Sequence, residues 1–177
     1  MKVVALLLAV FAAGSQPVPF QTLARMFEYD RSKPANERLS LREERSGVKI
    51  YDYSFDSPVA GRVPGLLIVP QISGRRPLIL YGHWMLQGSP LRNKGEFLDE
   101  AVVMACSGAI CLLLDSPLVR EGVTEDPDPM HGQGPNAVLQ MSKEWRRALD
   151  LLSARPDVDT RLPSVLSPSP DQPSSRP

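Results

Sequence analysis

Two short, entirely apolar runs on either side of an amphipathic stretch constrain the fold of this chain most strongly. The runs are 77–81 (PLILY) and 109–114 (AICLLL), and the stretch 96–107 between them has apolar residues along one side (Phe97, Ala101, Met104, Ala105). Strands that are apolar on both faces are typical of a buried parallel sheet, and a helix of this length is a crossover connection. We therefore predict a right-handed βαβ unit beginning at Pro77.

Strand and helix patterns also precede this unit. Residues 48–55 alternate between apolar and polar side chains, and 62–70 (RVPGLLIVP) follow after a Gly-containing turn, so that the two runs predict an antiparallel hairpin. Residues 20–29 have the spacing of a short surface helix, and the charged stretch 30–47 is interpreted as a connector or an edge strand.

A second helix is predicted at 136–154, after a polar loop at 116–135. One apolar stripe runs along it, and charged residues including Glu144 and Arg147 are expected to face away from that stripe (Val138, Met141, Trp145, Leu149, Leu152). Such a stripe is more often a core face than a ligand site, so we interpret Trp145 as a packing residue.

The pattern demands another parallel strand after this helix, and we predict that the sequence does not provide one. A turn is predicted at 155–159 (RPDVD), but the stretch from 162 onward contains five prolines (Pro163, Pro168, Pro170, Pro173, Pro177). Because proline cannot donate to a ladder of hydrogen bonds, we predict a folded domain at 16–161 and a disordered Pro/Ser-rich tail at 162–177.

The N-terminus has the layout of a secretory signal peptide. One positive charge at Lys2 precedes the apolar run 3–13, and small residues follow, which predicts a signal peptide at 1–15 that is cleaved after Gly14 or Ser15. The alternative is a buried first helix or strand. Since the run is too short to span a bilayer, we expect an exported periplasmic or extracellular protein without a stable membrane anchor.

Charge and cysteine content narrow the classes of partner. Twenty basic and twenty acidic residues cancel, and no run of Lys or Arg is longer than a pair, so no nucleic-acid partner is predicted. The only cysteines, Cys106 and Cys111, are interpreted as two small buried residues in preference to a disulfide. No histidine lies at a useful spacing from either of them, and we predict neither a metal site nor a cofactor.

Residues 29–159 resemble the N-terminal half of an α/β-hydrolase, specifically the dienelactone-hydrolase-like and acyl-esterase-like members. The resemblance rests on the order and spacing of GLLIVP (65–70), LILY running into GHW (78–84), EFL (96–98), LLLDSP (112–117), and RRALDLL (146–152) before RPDVD. It implies a truncated α/β-hydrolase fold, in which an antiparallel hairpin leads into a parallel βαβα unit and a disordered tail. The intact relative would hydrolyse small esters or lactones.

In that family a Ser within G-x-S-x-G attacks the ester carbonyl, and two backbone N–H groups hold the oxyanion. The resemblance implies that Trp84 is the oxyanion-hole residue, with Met85 as the fallback, and that His83 shapes the same loop. Asp115 ends a strand where α/β folds place binding groups, and we assign His83, Asp115 and His131 to the pocket rim. The alternatives are a loop that only caps the strand, Asp115 as a turn-former and His131 as a solvated loop residue.

The sequence departs from the family at its catalytic centre. No G-x-S-x-G occurs, and the position expected for it is occupied by 164–171, so no catalytic Ser, acid or His base is carried over. We therefore predict a truncated carboxylic-ester hydrolase that is inactive alone, with a shift of reading frame near Asp159. One alternative is a secreted non-catalytic module that binds a partner strand or self-associates through an open sheet edge. Another is a small active enzyme that uses His83 with Ser89 or Ser116.

Overall fold

The computed structural model describes residues 18–83, 93–120 and 134–166, and the side chains of all these except 134–135 and 162–166. Several predictions fall outside the described residues: the signal peptide, the oxyanion-hole residues Trp84 and Met85, the rim residue His131, and the tail from 167 onward.

The described residues form three α-helices, one 3₁₀ turn and six strands. In chain order these are α1 (Phe20–Met26), β1 (Arg38–Arg45), β2 (Val48–Asp56), β3 (Arg62–Pro70), β4 (Arg76–Gly82), α2 (Leu98–Cys106), β5 (Ile110–Leu114), the 3₁₀ turn (Pro117–Val119), α3 (Gly134–Ser153) and β6 (Val158–Leu166). The helix predicted near the N-terminus is confirmed as a surface helix, since α1 buries none of its residues. None of the described helices is long and apolar enough to cross a membrane.

The six strands make one mixed sheet in the order β1-β2-β3-β5-β4-β6. The predicted hairpin is confirmed as the antiparallel pair β2 and β3, and the predicted βαβ unit as the parallel pair β4 and β5 joined through α2. After β5 the chain returns through α3 to β6, which lies on the other side of β4. The strand order therefore reverses around β4.

Alternate residues of each strand point to opposite faces of the sheet. Helix α2 packs on one face and helix α3 on the other, so each face has its own apolar cluster. The α2-side cluster contains Val48, Ile50, Leu66, Ile68, Ile79, Tyr81, Ala101, Val102, Ala105, Ala109, Cys111 and Leu113. The α3-side cluster contains Tyr53, Phe55, Val63, Leu67, Leu78, Leu80, Ile110, Leu112, Leu114, Ala148, Leu152 and Val158. β4 and β5 are thus buried on both faces, as their sequences predict.

The prediction for the charged side of α3 is wrong at two positions. Trp145 and Leu149 pack against the α3-side cluster as expected, but Glu144 is 1% exposed and Arg147 is also buried, whereas Val138 of the apolar stripe is 52% exposed. Arg147 is buried because its guanidinium donates to the backbone carbonyls of Arg31 and Lys33. Side-chain periodicity alone does not reveal such long-range partners.

The prediction that no strand follows α3 is also wrong. β6 runs parallel to β4 and includes 162–166, which were assigned to the tail. Pro163 is tolerated because it lies opposite Leu78, directly after a break in the register with β4, and because β6 pairs only with β4 among the described strands. Bulges and edge strands are the places where a sheet accepts proline.

The two cysteines differ in environment. Cys111 is buried in β5 as predicted, but Cys106 is exposed, and both are free thiols. Cys106 is the last residue of α2, and its thiol donates to the backbone carbonyl of Ser46 at 3.3 Å. The prediction that both cysteines are buried is therefore wrong for Cys106.

Candidate functional site

The carboxyl ends of β4 and β5 form the candidate site. The connection after β4 leads to α2 on one face of the sheet, and the connection after β5 leads towards α3 on the other face. Where neighbouring parallel strands send their connections to opposite faces, their carboxyl ends border a crevice that binds ligands.

His83 and Ser116 join the ends of these two strands. The backbone N–H of Ser116 donates to Nε2 of His83 at 2.9 Å. Because Nε2 is the acceptor, the proton of the neutral ring lies on Nδ1. His83 therefore lies at this edge, where the sequence analysis placed it, and its Nε2 lone pair is occupied by a backbone amide.

Asp115 is buried at the same edge and is held by Lys94, which precedes α2. The backbone N–H of Lys94 donates to Oδ1 of Asp115 at 2.6 Å, and Nζ of Lys94 lies 2.8 Å from Oδ2. The backbone N–H of Asp115 donates to the carbonyl of Pro64 at 3.0 Å. The structure thus brings together two of the three predicted rim residues, His83 and Asp115.

A small pocket, too narrow to hold a water molecule, lies beneath this edge. It is lined by Tyr81, His83, Asn93, Lys94, Phe97, Leu113 and Leu114. The rings of Tyr81 and Phe97 stack with their centroids 6.2 Å apart. The Tyr81 hydroxyl is buried without a hydrogen-bond partner among the described residues, and burial raises its pKa above the ordinary tyrosine value. The floor of the site is therefore apolar, with one buried phenol.

A buried ion pair supports the edge from the α3 side. Nη1 and Nη2 of Arg120 bond to Oε1 and Oε2 of Glu144 at 3.0 and 2.5 Å, and Nη2 also donates to the backbone carbonyl of Asp115 at 3.0 Å. Gln140 donates to Glu144 at 2.9 Å. Lys94, Arg120 and Glu144 were not predicted as parts of this edge, because their partners are distant in sequence.

No nucleophile is assembled among the described residues of this edge. The hydroxyl of Ser116 accepts from the N–H of Leu118 at 3.3 Å and caps the 3₁₀ turn, so the amide and not the hydroxyl of Ser116 faces His83. Burial raises the pKa of the Cys111 thiol to about 12, which keeps it protonated at neutral pH. The described residues also contain no group of three or more metal-ligating side chains.

Gly82 lets α3 approach the end of β4, immediately before His83. A Cβ atom at this position would lie 2.4 Å from Cη2 and 2.6 Å from Cζ2 of Trp145. The indole of Trp145 therefore packs directly on the backbone of Gly82. Trp145 is thus a packing residue, as predicted, and its packing partner lies at the edge of the candidate site.

Comparison with known proteins gives structural neighbours only. No protein-family model and no curated protein matches the chain. Among solved structures, an acetyl xylan esterase from a Paenibacillus species has a TM-score of 0.58 at 20% identity, over 82% of this chain and 49% of that one. Acetyl xylan esterase 1 from a Thermoanaerobacterium species has a TM-score of 0.56 at 17% identity, over 78% and 46%.

A third neighbour, a putative acetyl xylan esterase from Bacteroides fragilis, has a TM-score of 0.60 at 13% identity, over 82% of this chain and 44% of that one. The chain therefore spans about half the length of these proteins. Similarity to dienelactone hydrolases in particular stays a prediction. We conclude that the chain shares the fold of about half of each of these three proteins.

Proposed function

We propose that this chain is part of a carboxylic-ester hydrolase and that it provides the oxyanion side of the ester pocket. One observation supports the proposal above all: His83, Asp115 and Ser116 are joined at the carboxyl edge of β4 and β5, in a fold shared with about half of several acetyl xylan esterases. That edge is where α/β folds bind their ligands.

The proposed chemistry is stabilisation of the oxyanion formed when an ester carbonyl is attacked. We propose that the backbone N–H of Trp84, or of Met85 in its place, is one of the two donors, because these residues directly follow His83 at the end of β4. The proposed substrate is a small ester or lactone, and acetyl esters are the first to test. Since Lys94 is compensated by Asp115, the edge suits an uncharged ester.

We propose further that the chain does not turn over esters by itself. The sequence has no G-x-S-x-G, and oxyanion donors without a nucleophile give little catalysis. The test is hydrolysis of p-nitrophenyl acetate by the wild-type chain and by His83→Ala, each expected at the uncatalysed rate. Saturable turnover that His83→Ala abolishes would contradict the proposal and support the small-enzyme alternative.

The coding DNA provides the test of the proposed shift of reading frame. If the chain derives from an ester hydrolase whose frame shifts near Asp159, another reading frame just downstream should encode G-x-S-x-G followed by the acid and the His base. Absence of that motif from all frames of the downstream DNA would count against the shift of reading frame, whatever the activity assay shows.

The second candidate function is a non-catalytic interaction module. The observation that favours it is that β6 pairs only with β4 among the described strands, so its outer edge could accept an added strand from a partner protein. A monomeric chain that unfolds cooperatively and has no esterase activity would support this candidate. Aggregation of the purified chain would count against it.

Export is proposed from the N-terminal pattern alone. Expression of the full chain in a bacterial host, with fractionation and N-terminal sequencing, is the test. We expect a mature N-terminus at Ser15 or Gln16 in the exported fraction, and an uncleaved chain retained in the cytoplasm would refute it.

A further inference from the structure

We infer that Asp115 and Ser116 are positioning residues that hold His83 and Lys94, near the two ends of the β4–α2 connection. We infer also that Arg120, bonded to Glu144 of α3, holds Asp115 in place. The inference rests on the proposed function, because the connection leaves the edge at which we propose the ester binds. Its test is a local structural measurement that does not depend on activity.

Two adjacent residues, Asp115 and Ser116, bond to residues near both ends of the β4–α2 connection. The Ser116 amide bonds to His83, the first residue after β4, and the Asp115 carboxylate bonds to Lys94, four residues before α2 begins at Leu98. These partners are 33 and 21 positions away in the sequence. A short segment after β5 thus sets where the connection starts and where it ends.

The bonds made by Asp115 and Ser116 begin where the hydrogen-bonded pairing of β4 and β5 ends. β4 and β5 are paired from Leu78 opposite Ile110 to Gly82 opposite Leu114. The next residue of each strand, His83 and Asp115, takes part in the network. The ladder already aligns the strands, so the added bonds fix His83 and Lys94 and not the sheet register.

Every backbone and carboxylate group of Asp115 has a hydrogen-bond partner. Its N–H donates to Pro64, its carbonyl accepts from Arg120, and each carboxylate oxygen accepts from Lys94. Asp115 is 7% exposed, and a buried carboxylate is tolerated only when it is bonded in this way. Its position is therefore tightly defined.

Arg120 links Asp115 to helix α3. Nη2 of Arg120 donates to Oε2 of Glu144 and to the carbonyl of Asp115, so one guanidinium nitrogen joins the helix to the end of β5. Glu144 is itself buried and also accepts from Gln140. A shift of α3 at this turn would therefore disturb the hydrogen bond from Arg120 to the Asp115 carbonyl.

The first experiment is native-state hydrogen exchange measured by NMR at the amides of Lys94 and Ser116. Asp115→Ala should speed exchange at Lys94 by about tenfold or more beyond the change at β2–β3 hairpin amides such as Leu67, since local opening and global unfolding affect different amides. Asp115→Asn, which keeps an oxygen to accept from the Lys94 amide, should restore part of the protection.

The support from α3 is tested with a double variant, Arg120→Met with Glu144→Leu, which removes the pair without leaving a buried charge. We expect faster exchange at Ser116 and Lys94 by about threefold or more relative to Leu67. The control is Asp157→Asn, which removes an ion pair with Arg155 elsewhere in the chain and should leave that ratio unchanged. Equal factors at all amides, or no change, in the Asp115 and double variants would overturn the inference.

The second experiment isolates the bond from Ser116 to His83. Ser116 has φ −60° and ψ 148°, a conformation that proline adopts, so Ser116→Pro removes the amide donor, and Ser116→Ala removes only the hydroxyl. In long-range ¹H–¹⁵N spectra, assigned with His83→Gln, Ser116→Pro should shift the Nε2 signal of His83 and Ser116→Ala should not. An unchanged Nε2 signal in Ser116→Pro would refute the inference that the Ser116 amide holds His83.

Discussion

Substitution of Gly82 by Ala is expected to separate α3 from the edge of the candidate site. The added Cβ would lie 2.4 Å from Cη2 of Trp145, whereas ordinary van der Waals contact begins at 3.4 Å, so the indole must retreat by about 1 Å. Overpacking of this kind typically costs about 1–3 kcal/mol. Because Trp145 is only half-buried, we expect a cost in the middle of this range, so that Gly82→Ala lowers the free energy of unfolding by about 2 kcal/mol.

The assay is urea denaturation followed by far-UV circular dichroism, with four proteins in a double-mutant cycle. Trp145→Leu removes the ring that the new Cβ meets. Gly82→Ala should then cost less than about 0.5 kcal/mol in the Trp145→Leu background, giving a coupling energy of about 1.5 kcal/mol. If Gly82→Ala destabilises both backgrounds equally, the cost does not come from contact with Trp145 and the reasoning is refuted.

Three further predictions concern buried and titrating groups. Arg120→Ala leaves Glu144 buried and unpaired and should cost about 3–5 kcal/mol in urea denaturation, whereas Arg120→Met with Glu144→Leu should cost far less; equal costs would contradict a buried ion pair. The hydrogen bonds from Arg155 lower the pKa of Asp157, so their stabilisation is present above the unfolded pKa of about 3.9 and is lost as the pH falls through the folded pKa. The wild type should therefore lose more unfolding free energy than Asp157→Asn between pH 5 and pH 3, and parallel pH profiles would refute this. Because Cys111 is buried, the folded chain should react with one equivalent of a thiol reagent such as DTNB and release the second only in denaturant, and two rapid equivalents would contradict its burial.

Elements with a clear period were predictable from the sequence. The alternation in 48–55 and the fully apolar runs at 77–81 and 109–114 predicted a hairpin and a parallel pair, and both are present. These patterns are reliable because burial on one face or on both faces of a strand dictates which positions must be apolar. Helix α3 was predicted for the same reason, within a few residues at each end.

Composition misled the prediction at β6. Proline in 162–166 was interpreted as excluding a strand, but the objection to proline applies to a central strand with both neighbours present. Pro163 follows a break in the register with β4, in a strand that has one described neighbour. The sequence shows the proline and does not show how many neighbours the strand has.

The sequence by itself determined which strand positions are buried and that β4 and β5 run parallel, because those features follow from local alternation and from the length of the connection. Only the tertiary structure decided which polar groups are buried at the candidate site. Glu144 is buried because Arg120 reaches it from 24 positions away, and Asp115 because Lys94 reaches it from 21. The cost of burying a charge is offset by a partner, and such partners are brought close by the fold and not by any local pattern.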